Sequence, residues 1–313
     1  MKIERMQSIN VDKKSGCAYA AAAARDKLGM TSVKVRYLGG GSFGRAYEVV
    51  GRDGSVVVKL LADREMMRKE THDLGLLASA CPIAVPRVLF GREEDGEIPF
   101  ACYGMQRIEG CGALMSLPLW LAPRRVKQAF ADEVTTALHA VHGVTCDRYG
   151  DTLSPQFDDW LDLYRPFASE VFGAARADSI FDKSVIAAMG AAMDVFDKIF
   201  AQKPDAPRLI HGDLNIANIM TKNRRVTGFI DPLNSMYADR EYDLFQFRNL
   251  WGEKFGLVDS YVSKYGASEM LEYKLAFYGL WNEVWCSIKV GHVINIIMKP
   301  LVKRMDELAS KLR

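Results

Sequence analysis

The stretch that decides the fold is HGDLNIAN at residues 211–218, followed by FID at residues 229–231. Between these motifs lie two short apolar runs, residues 219–221 and 226–230, separated by the polar residues 222–225. Apolar runs of this length around a polar turn predict a β-hairpin. Because a hairpin returns the chain on itself, the end of the second motif is expected beside the end of the first.

Three polar side chains in these motifs form the candidate chemical centre. The hairpin brings Asp231 next to Asn218, and a carboxylate beside an amide oxygen suits a Mg²⁺ ion that chelates nucleotide phosphates. Asp213 then stands nearby, where it can orient an attacking hydroxyl and accept its proton. Taken singly, each residue has a structural explanation: His211 as a core histidine, Asn218 as a cap and Asp231 as a turn residue. Their combination favours phosphoryl-transfer chemistry.

A second motif, GGGSFG at residues 39–44, fits the pattern G-x-G-x-x-G between two predicted strands. The dinucleotide-binding form of this pattern needs a helix directly after the third glycine, whereas residues 47–50 continue as strand. The motif therefore predicts either a tight turn or a flap whose bare backbone amides lie against phosphate oxygens. The candidate residues of this glycine flap are Gly39, Gly41, Ser42, Phe43 and Gly44.

A lysine follows the flap, at the end of the apolar run 56–58. Lys59 could be an exposed edge residue, but next to a glycine flap it is well placed to hold a phosphate as a point charge. Such a cation needs a carboxylate partner, and the next predicted helix offers Glu65 and Glu70. Glu70 shares the apolar face of Met67 and Leu74, whereas Glu65 lies on the other side. We therefore expect Glu70 to pair with Lys59.

The pattern along the chain divides it into two parts. Residues 33–61 are typical of an antiparallel meander, and a helix and two further strands at residues 86–90 and 98–108 complete a β-rich part. After Gly110, helical periodicity dominates. Helices are expected at residues 125–142, 157–171, 181–200 and most of 268–297. The sequence thus predicts an α+β protein with an N-terminal lobe at residues 1–108, a C-terminal lobe at residues 109–313 and a cleft between them.

Composition excludes several classes of protein. The 313 residues include 41 Lys and Arg against 39 Asp and Glu, a net charge of +2, so a nucleic-acid partner is not indicated. Hydrophobic residues make up 49% and charged residues 26%, as in globular proteins. Six scattered cysteines without a C-x-x-C pair or zinc-ligand spacing favour reduced thiols in a cytoplasmic protein without a structural metal.

The alanine-rich run after Cys17 is the one candidate for a membrane segment. It is short, it stops at the charged pair Arg25 and Asp26, and alanine forms helices more readily than it anchors in membranes. We expect instead an amphipathic surface helix that ends at Gly29, and no membrane partner.

Together these residues resemble the aminoglycoside phosphotransferase and fructosamine kinase superfamily, which shares the protein-kinase-like fold. The resemblance runs from about Val33 to about Tyr265. It rests on the glycine flap, Lys59, Glu70, the strand at 85–89, MQRIEG at 105–110, the 211–218 loop, IDP at 230–232 and DREYDL at 239–244.

The resemblance implies a role for each matched position. The implied roles are catalytic base for Asp213, Mg²⁺ ligand for Asn218 and Asp231, phosphate binding for Lys59 with Glu70 as its partner, support of the catalytic loop for His211 and Asp243, and adenine binding by the backbone around Met105 to Ile108.

Several departures distinguish the sequence from protein kinases. Gly212 follows His211 where protein kinases have H-R-D, Pro232 follows Asp231 where they have D-F-G, and A-P-E does not occur. Only twelve positions separate Asp231 from Asp243, too few for a peptide-docking activation segment. A small-molecule acceptor is therefore favoured.

Two branches of the superfamily stay open. YGDT at 149–152, together with Pro155, Gln156, Trp160 and the Asp-Pro pair at 231–232, is similar to the fructosamine kinase branch. Asn215 stands where that branch usually has tryptophan, and the glycine flap is more similar to that of protein kinases.

In this superfamily, acidic residues of the C-terminal lobe meet ammonium groups of the acceptor. The candidates here are Asp158, Asp159, Glu241, Glu253 and Glu283; the first two could equally form the solvated face of a helix. The resemblance implies Mg²⁺-dependent transfer of the γ-phosphoryl group of ATP, or of GTP, to a hydroxyl of a small, aminated, sugar-like acceptor. The alternatives are a fructosamine or ketosamine kinase and a nucleotide-binding regulator without turnover.

Overall fold

The N-terminal part of the chain is an antiparallel sheet with a helix on each face. The computed structural model describes residues 5–6, 8–41, 43–52 and 54–313. The elements of this part are, in chain order, α1 (Lys13–Leu28), β1 (Lys34–Gly39), β2 (Gly44–Gly51), β3 (Gly54–Leu61), α2 (Arg64–Ala80), β4 (Val88–Arg92) and β5 (Ala101–Gln106). The strands lie in the order β1-β2-β3-β5-β4. Ser42 of the flap and Asp53 of the meander predicted at residues 33–61 lie outside the described residues.

Helix α1 covers one face of this sheet. The side chain of Asp12 accepts hydrogen bonds from the first-turn amides, and the helix ends at Gly29, whose φ of 65° is the left-handed conformation that favours glycine. Its buried alanines pack against Val58 and Leu60. The surface helix expected from the alanine run is therefore confirmed. In the described part of the chain, no helix is long and apolar enough to cross a membrane.

Helix α2 covers the other face and begins where the side chain of Asp63 accepts a hydrogen bond from the amide of Met66 at 2.8 Å. Because successive side chains of a strand point to opposite faces, Lys59 faces α2 while its neighbours Val58 and Leu60 face α1. The apolar side of α2, with Leu74 and Leu77, belongs to the same core as the helices of the second part. Helix α2 therefore packs between the two parts of the chain.

The C-terminal part is mainly helical. Its helices are α3 (Leu117–Trp120), α4 (Arg124–His142), α5 (Trp160–Ala177), α6 (Lys183–Asp194), α7 (Phe196–Ile199), α8 (Glu241–Gln246), α9 (Leu257–Tyr265), α10 (Leu271–Val290) and α11 (Asn295–Leu312). Its strands are β6 (Cys111–Gly112), β7 (Tyr149–Asp151), β8 (Ser154–Phe157), β9 (Arg208–Leu209), β10 (Ile219–Lys222), β11 (Arg225–Phe229) and β12 (Met236–Ala238). They form two small sheets with the orders β11-β10-β6 and β8-β7-β12-β9.

The predicted hairpin at 219–230 is confirmed as β10 and β11, which pair from Ile219 opposite Phe229 to Lys222 opposite Arg225. Some helix boundaries differ from the prediction. The helix expected from residue 157 begins at Trp160, because Ser154–Phe157 pairs as a strand with β7. The helical region 268–297 is interrupted at Gly291, which ends α10 with a φ of 79°. The α+β class with a β-rich part before a helical part is confirmed.

Candidate active site

A cavity of about 400 Å³ lies between the sheet and the helical part of the chain. Its lining includes the described flap residues Gly39, Gly41, Phe43 and Gly44, together with Lys59, Glu70, Met105, Ile108 and Asp231. This volume is in the range of cofactor sites. The structure therefore brings together, around one cavity, residues that the sequence analysis took from four separate motifs.

The glycine flap connects β1 to β2 at the edge of this cavity. A Cβ atom at Gly44 would lie 3.0 Å from Lys59 Cε, so glycine at this position leaves the space that the lysine side chain occupies. The guanidinium of Arg45 contacts the carbonyl of Gly41 and donates to that of Gly44 at 3.1 Å. Arg45 thereby ties the flap to its own strand, a contact that the sequence motif did not indicate.

Lys59 joins the two parts of the chain at the cavity. Its Nζ contacts the carboxylate of Glu70 on α2 and lies 2.5 Å from Asp231 Oδ1, just past the end of β11. Although burial would lower the pKa of Lys59, these two carboxylates raise it above the ordinary value. Glu65, the other carboxylate considered for this pair, is exposed and contacts Arg68.

Tyr103 completes the surroundings of Glu70. It lies opposite Lys59 in the β3–β5 register, and its hydroxyl donates to Glu70 Oε1 at 2.8 Å. Burial raises the pKa of Glu70, and the attraction of Lys59 opposes this rise. Sequence reasoning missed Tyr103, because only the pairing of β3 with β5 places it beside the ion pair.

The loop before β10 holds Asp213 between two amides. Asn215 Nδ2 donates to Asp213 Oδ1 at 2.9 Å, and Asn218 Nδ2 donates to Asp213 Oδ2 at 3.0 Å. Burial, together with the negative charge of Asp231, raises the pKa of Asp213 to about 7. A carboxylate whose pKa is near neutrality is suited to exchange a proton with a hydroxyl. Asn215 thus orients the candidate base, a role that its sequence position did not reveal.

Asp243 fixes the start of this loop. Its fully buried carboxylate accepts hydrogen bonds from the amides of His211 and Gly212, both at 2.7 Å, and contacts His142 Nε2 at 3.1 Å. Gly212 has a φ of 81°, and a Cβ atom there would lie 2.3 Å from the carbonyl oxygen of Leu233. The position therefore requires glycine, where protein kinases have arginine.

Asn218 and Asp231, whose side-chain oxygens are candidate metal ligands, lie at the same end of the hairpin. The amide of Ile230 donates to the Asn218 carbonyl at 3.0 Å, which keeps residues 218 and 231 at adjoining positions. The Nδ2 group of Asn218 is engaged by Asp213, so its Oδ1 is the atom available to a cation. Desolvation alone would raise the pKa of Asp231, but the charge and hydrogen bond of Lys59 lower it, so this carboxylate is ionised.

No group of three or more His, Cys, Asp or Glu side chains with metal-binding geometry occurs in the part of the chain that the structure describes. The donor set here is instead one amide oxygen and one carboxylate. That set fits Mg²⁺, which is usually bound by one or two protein oxygens and completed by substrate phosphates and water.

The five acidic acceptor candidates occupy different environments. Asp159 caps α5 and contacts Lys203, and Glu241 is buried against Lys274 and Ser268. These contacts favour structural roles for both. The remaining candidates are Asp158, which is exposed beside Arg148, Glu253, which is exposed, and Glu283, which is half-buried on α10.

Burial raises the pKa of the Glu283 carboxyl to about 7. Burial raises the pKa of the half-buried Cys286 thiol, one turn further along α10, and the negative charges of Glu283 and Asp213 add to this rise. Among the five candidates, Glu283 is the half-buried carboxyl whose pKa is raised.

This fold and this arrangement are those expected of a protein-kinase-like phosphotransferase. A profile of the phosphotransferase enzyme family, APH, matches residues 34–282. The chain belongs to this family.

Solved structures share the whole architecture. A thermostable mutant of aminoglycoside phosphotransferase APH(4)-Ia, in its apo form, superposes with a TM-score of 0.71 at 20% identity over 92% of this chain and 97% of that one. The streptomycin–ATP–APH(2″)-IIa complex gives 0.64 at 14% identity over 97% and 99%. The GDP complex of aminoglycoside 2′-phosphotransferase-IIIa gives 0.67 at 16% identity over 94% and 99%. At these identities the matches establish the fold.

Proposed function

We propose that the chain transfers the γ-phosphoryl group of ATP to a hydroxyl of a small, cationic, sugar-like acceptor, with GTP as a second possible donor. The observation that carries the proposal is the position of Lys59, whose Nζ contacts Glu70 and Asp231 at the cavity under the glycine flap. A lysine held between two carboxylates beside the backbone amides of a glycine flap is suited to bind phosphates.

Asn218 and Asp231 would hold Mg²⁺, which neutralises phosphate charge when bound. The protein groups provide most of the remaining catalysis by positioning. The flap amides and Lys59 would bind the phosphate oxygens, and the backbone at Met105 to Ile108 would bind the base. Opening of the Lys59–Asp231 contact frees both groups for these roles.

Asp213 would act on the acceptor. Its carboxylate, oriented by Asn215 and Asn218, accepts the proton of the acceptor hydroxyl as the oxygen forms a bond to the γ-phosphorus. The bond from that phosphorus to the bridging oxygen breaks, and the nucleoside diphosphate leaves. His211 and Asp243 hold the loop in place and do not contact the reacting atoms.

Glu283 is the strongest candidate for recognition of a cationic acceptor. A half-buried carboxylate with a raised pKa gains from an ammonium partner, because the opposite charge offsets the cost of desolvation. The neighbouring structures include complexes with hygromycin B and with streptomycin. An aminated acceptor is therefore the class that we propose. The cytoplasm, where reduced thiols and nucleotide donors coexist, is the proposed place of action.

A coupled nucleotide-hydrolysis assay with Mg²⁺ tests the proposal against aminoglycosides, fructosamines, choline, amino sugars and homoserine. We expect one aminated sugar class to stimulate turnover. Stimulation by fructosamines alone would establish the ketosamine kinase instead. Tight nucleotide binding without stimulation by any compound would favour a regulator, and absence of nucleotide binding would refute the proposal.

The Glu283→Gln variant tests the acceptor site separately. We expect it to raise the KM of the acceptor about tenfold or more, because loss of one charge-assisted contact costs about 1.5 to 3 kcal/mol, while the KM of the nucleotide stays unchanged. The exposed Glu253→Gln variant is the matched comparison, and a larger acceptor effect there would move the site to Glu253.

A further inference from the structure

A polar cluster attaches helix α2 to the C-terminal part close to Glu70. We call it the α2 latch; it consists of Lys69, Asp73, Thr152 and the carbonyl of Ser235. Lys69 Nζ contacts the Asp73 carboxylate and donates to Thr152 Oγ1 at 3.0 Å and to the Ser235 carbonyl at 2.7 Å. The Thr152 hydroxyl in turn donates to Asp73 Oδ1 at 2.5 Å. The cluster therefore joins three separate segments of the chain.

The latch is buried, so the loss of any of its contacts would leave a polar group without water to replace them. Asp73 is 1% exposed and Thr152 is 8% exposed. Burial raises the pKa of Asp73, and the charge and hydrogen bond of Lys69 oppose this rise. A buried carboxylate that loses its partners is costly. Any rotation or sliding of α2 would separate Asp73 from Thr152, so the cluster selects one position of the helix.

In this position of α2, Glu70 contacts Lys59. Lys69 precedes Glu70 directly in α2. Ser235 lies four residues after Asp231, and its hydroxyl donates to the carbonyl of His211 at 2.8 Å. The latch thus connects the neighbour of Glu70 with the segment that runs from Asp231 to Ser235 and with the start of the Asp213 loop.

The latch gains importance when a nucleotide binds. In the structure, α2 is joined to residues 231–235 directly by Lys69 and indirectly through the chain of contacts Glu70–Lys59–Asp231. Under the proposed function, on which this step rests, Lys59 turns to the phosphates and Asp231 to the metal, so their mutual contact opens. The latch includes neither residue and stays closed.

We propose that Lys69, Asp73 and Thr152 are positioning residues, which hold α2 so that Glu70 keeps Lys59 in place during phosphoryl transfer. None of the three lines the cavity under the glycine flap. Their removal therefore acts on the nucleotide side of the reaction and leaves acceptor binding unchanged.

The key variant is Thr152→Val, which keeps the side-chain shape and removes the hydroxyl. We expect it to lower kcat/KM for the nucleotide about tenfold, because the lost hydrogen bond leaves the buried Asp73 carboxylate less well satisfied. The KM of the acceptor should stay within about twofold of wild type. Thr152→Ser restores the hydroxyl and should restore activity. Arg68→Gln, on the exposed side of the same helix, is the matched control.

A purely stabilising role predicts a different result. In that case Thr152→Val lowers the unfolding temperature, while kcat and both KM values of the folded enzyme are unchanged; this result would overturn the proposal. If Thr152→Val does not fold, the double variant Lys69→Met with Asp73→Asn removes both charges of the buried pair together; Asp151, which also lies near Lys69, is exposed to solvent. It carries the same kinetic expectation.

Amide hydrogen exchange keeps the test independent of catalysis. Loss of the latch should speed exchange in residues 64–80 and 231–235 together, and Arg68→Gln should not. If the wild-type chain neither binds nor turns over nucleotide, the proposed function fails and exchange alone decides the role of the latch. If loss of the latch leaves exchange unchanged in both segments, the proposed positioning role is refuted.

Discussion

Replacement of Glu70 by glutamine removes one charge from the Lys59 ion pair and nearly preserves its shape. Glu70 is 8% exposed, and its Oε1 also accepts the Tyr103 hydroxyl, which a glutamine oxygen can still accept. The matched variant is Glu65→Gln on the same helix. The Glu65 side chain is 73% exposed and contacts only the exposed Arg68 among the described residues.

The stability cost follows from these surroundings. Removal of one partner from a buried ion pair usually costs about 3 to 5 kcal/mol. Lys59 keeps Asp231 as a second carboxylate, so we expect the lower part of this range or less, about 2 to 3 kcal/mol. Glu65→Gln should change the free energy of unfolding by less than about 0.5 kcal/mol, as is usual for an exposed pair. Urea unfolding at neutral pH measures both.

The functional cost should be larger than the stability cost suggests. Without Glu70, Asp231 is the remaining carboxylate partner of Lys59 among the residues that the structure describes, so Lys59 draws Asp231 away from the proposed metal position. A misplaced phosphate-binding group can cost about a hundredfold in rate, and we expect a loss of this size in kcat/KM for the Glu70 variant. Equal losses for Glu65→Gln and Glu70→Gln, or the reverse order, would refute the assignment of Glu70.

Three further predictions concern the base, its titration and the packing of two glycines. Asp213→Asn should bind a non-hydrolysable Mg²⁺-nucleotide nearly as well as wild type, while its turnover falls by about two to four orders of magnitude. Asp231→Asn should instead lose the Mg²⁺ dependence of nucleotide binding. If calorimetric titration of the two variants shows the opposite pattern of binding, the two roles must be exchanged. The folded-state pKa of Asp213 is raised to about 7, so the stability that this carboxyl contributes is present at low pH and is lost as the pH rises from about 4 to about 7. The free energy of unfolding of wild type should therefore fall relative to Asp213→Asn over that window, and parallel pH profiles would contradict it. Gly16→Ala should destabilise the protein by about 1 to 3 kcal/mol through overpacking, because the new Cβ would lie 1.9 Å from the buried Tyr47 hydroxyl. Gly173→Ala has open space around it and should stabilise its helix by about 0.5 to 1 kcal/mol. Thermal melts that shift the unfolding temperature in the same direction for both variants would argue against this packing.

Local patterns determined the elements that frame the site. The hairpin at 219–230 follows from two apolar runs around a polar turn, and the choice of Glu70 over Glu65 follows from 100° per residue along a helix. The surface helix ending at Gly29 follows from alanine propensity and a left-handed cap. Each of these inferences needs only neighbours within a few residues, and the structure shows the elements and the Lys59–Glu70 contact in the expected places.

Other features could not be read from local patterns, because they depend on residues far apart in the chain. Tyr103 reaches Glu70 only through the pairing of β3 with β5. Glu241, chosen for its charge, is buried against Lys274, 33 positions away. The strand at 154–157 shows little alternation of apolar and polar residues, and it forms because it pairs with β7.

The sequence by itself determined the α+β class, the resemblance to kinase-like phosphotransferases and the residue types at the candidate centre. Spacing within a motif constrains chemistry wherever the chain folds back over a few residues. The tertiary structure alone decided which carboxylates are paired with buried cations and which are left to bind a ligand. It alone revealed the α2 latch between Lys69, Thr152 and Ser235. The physical reason is that burial and long-range pairing set the cost of each charge, and neither is encoded in the order of neighbouring residues.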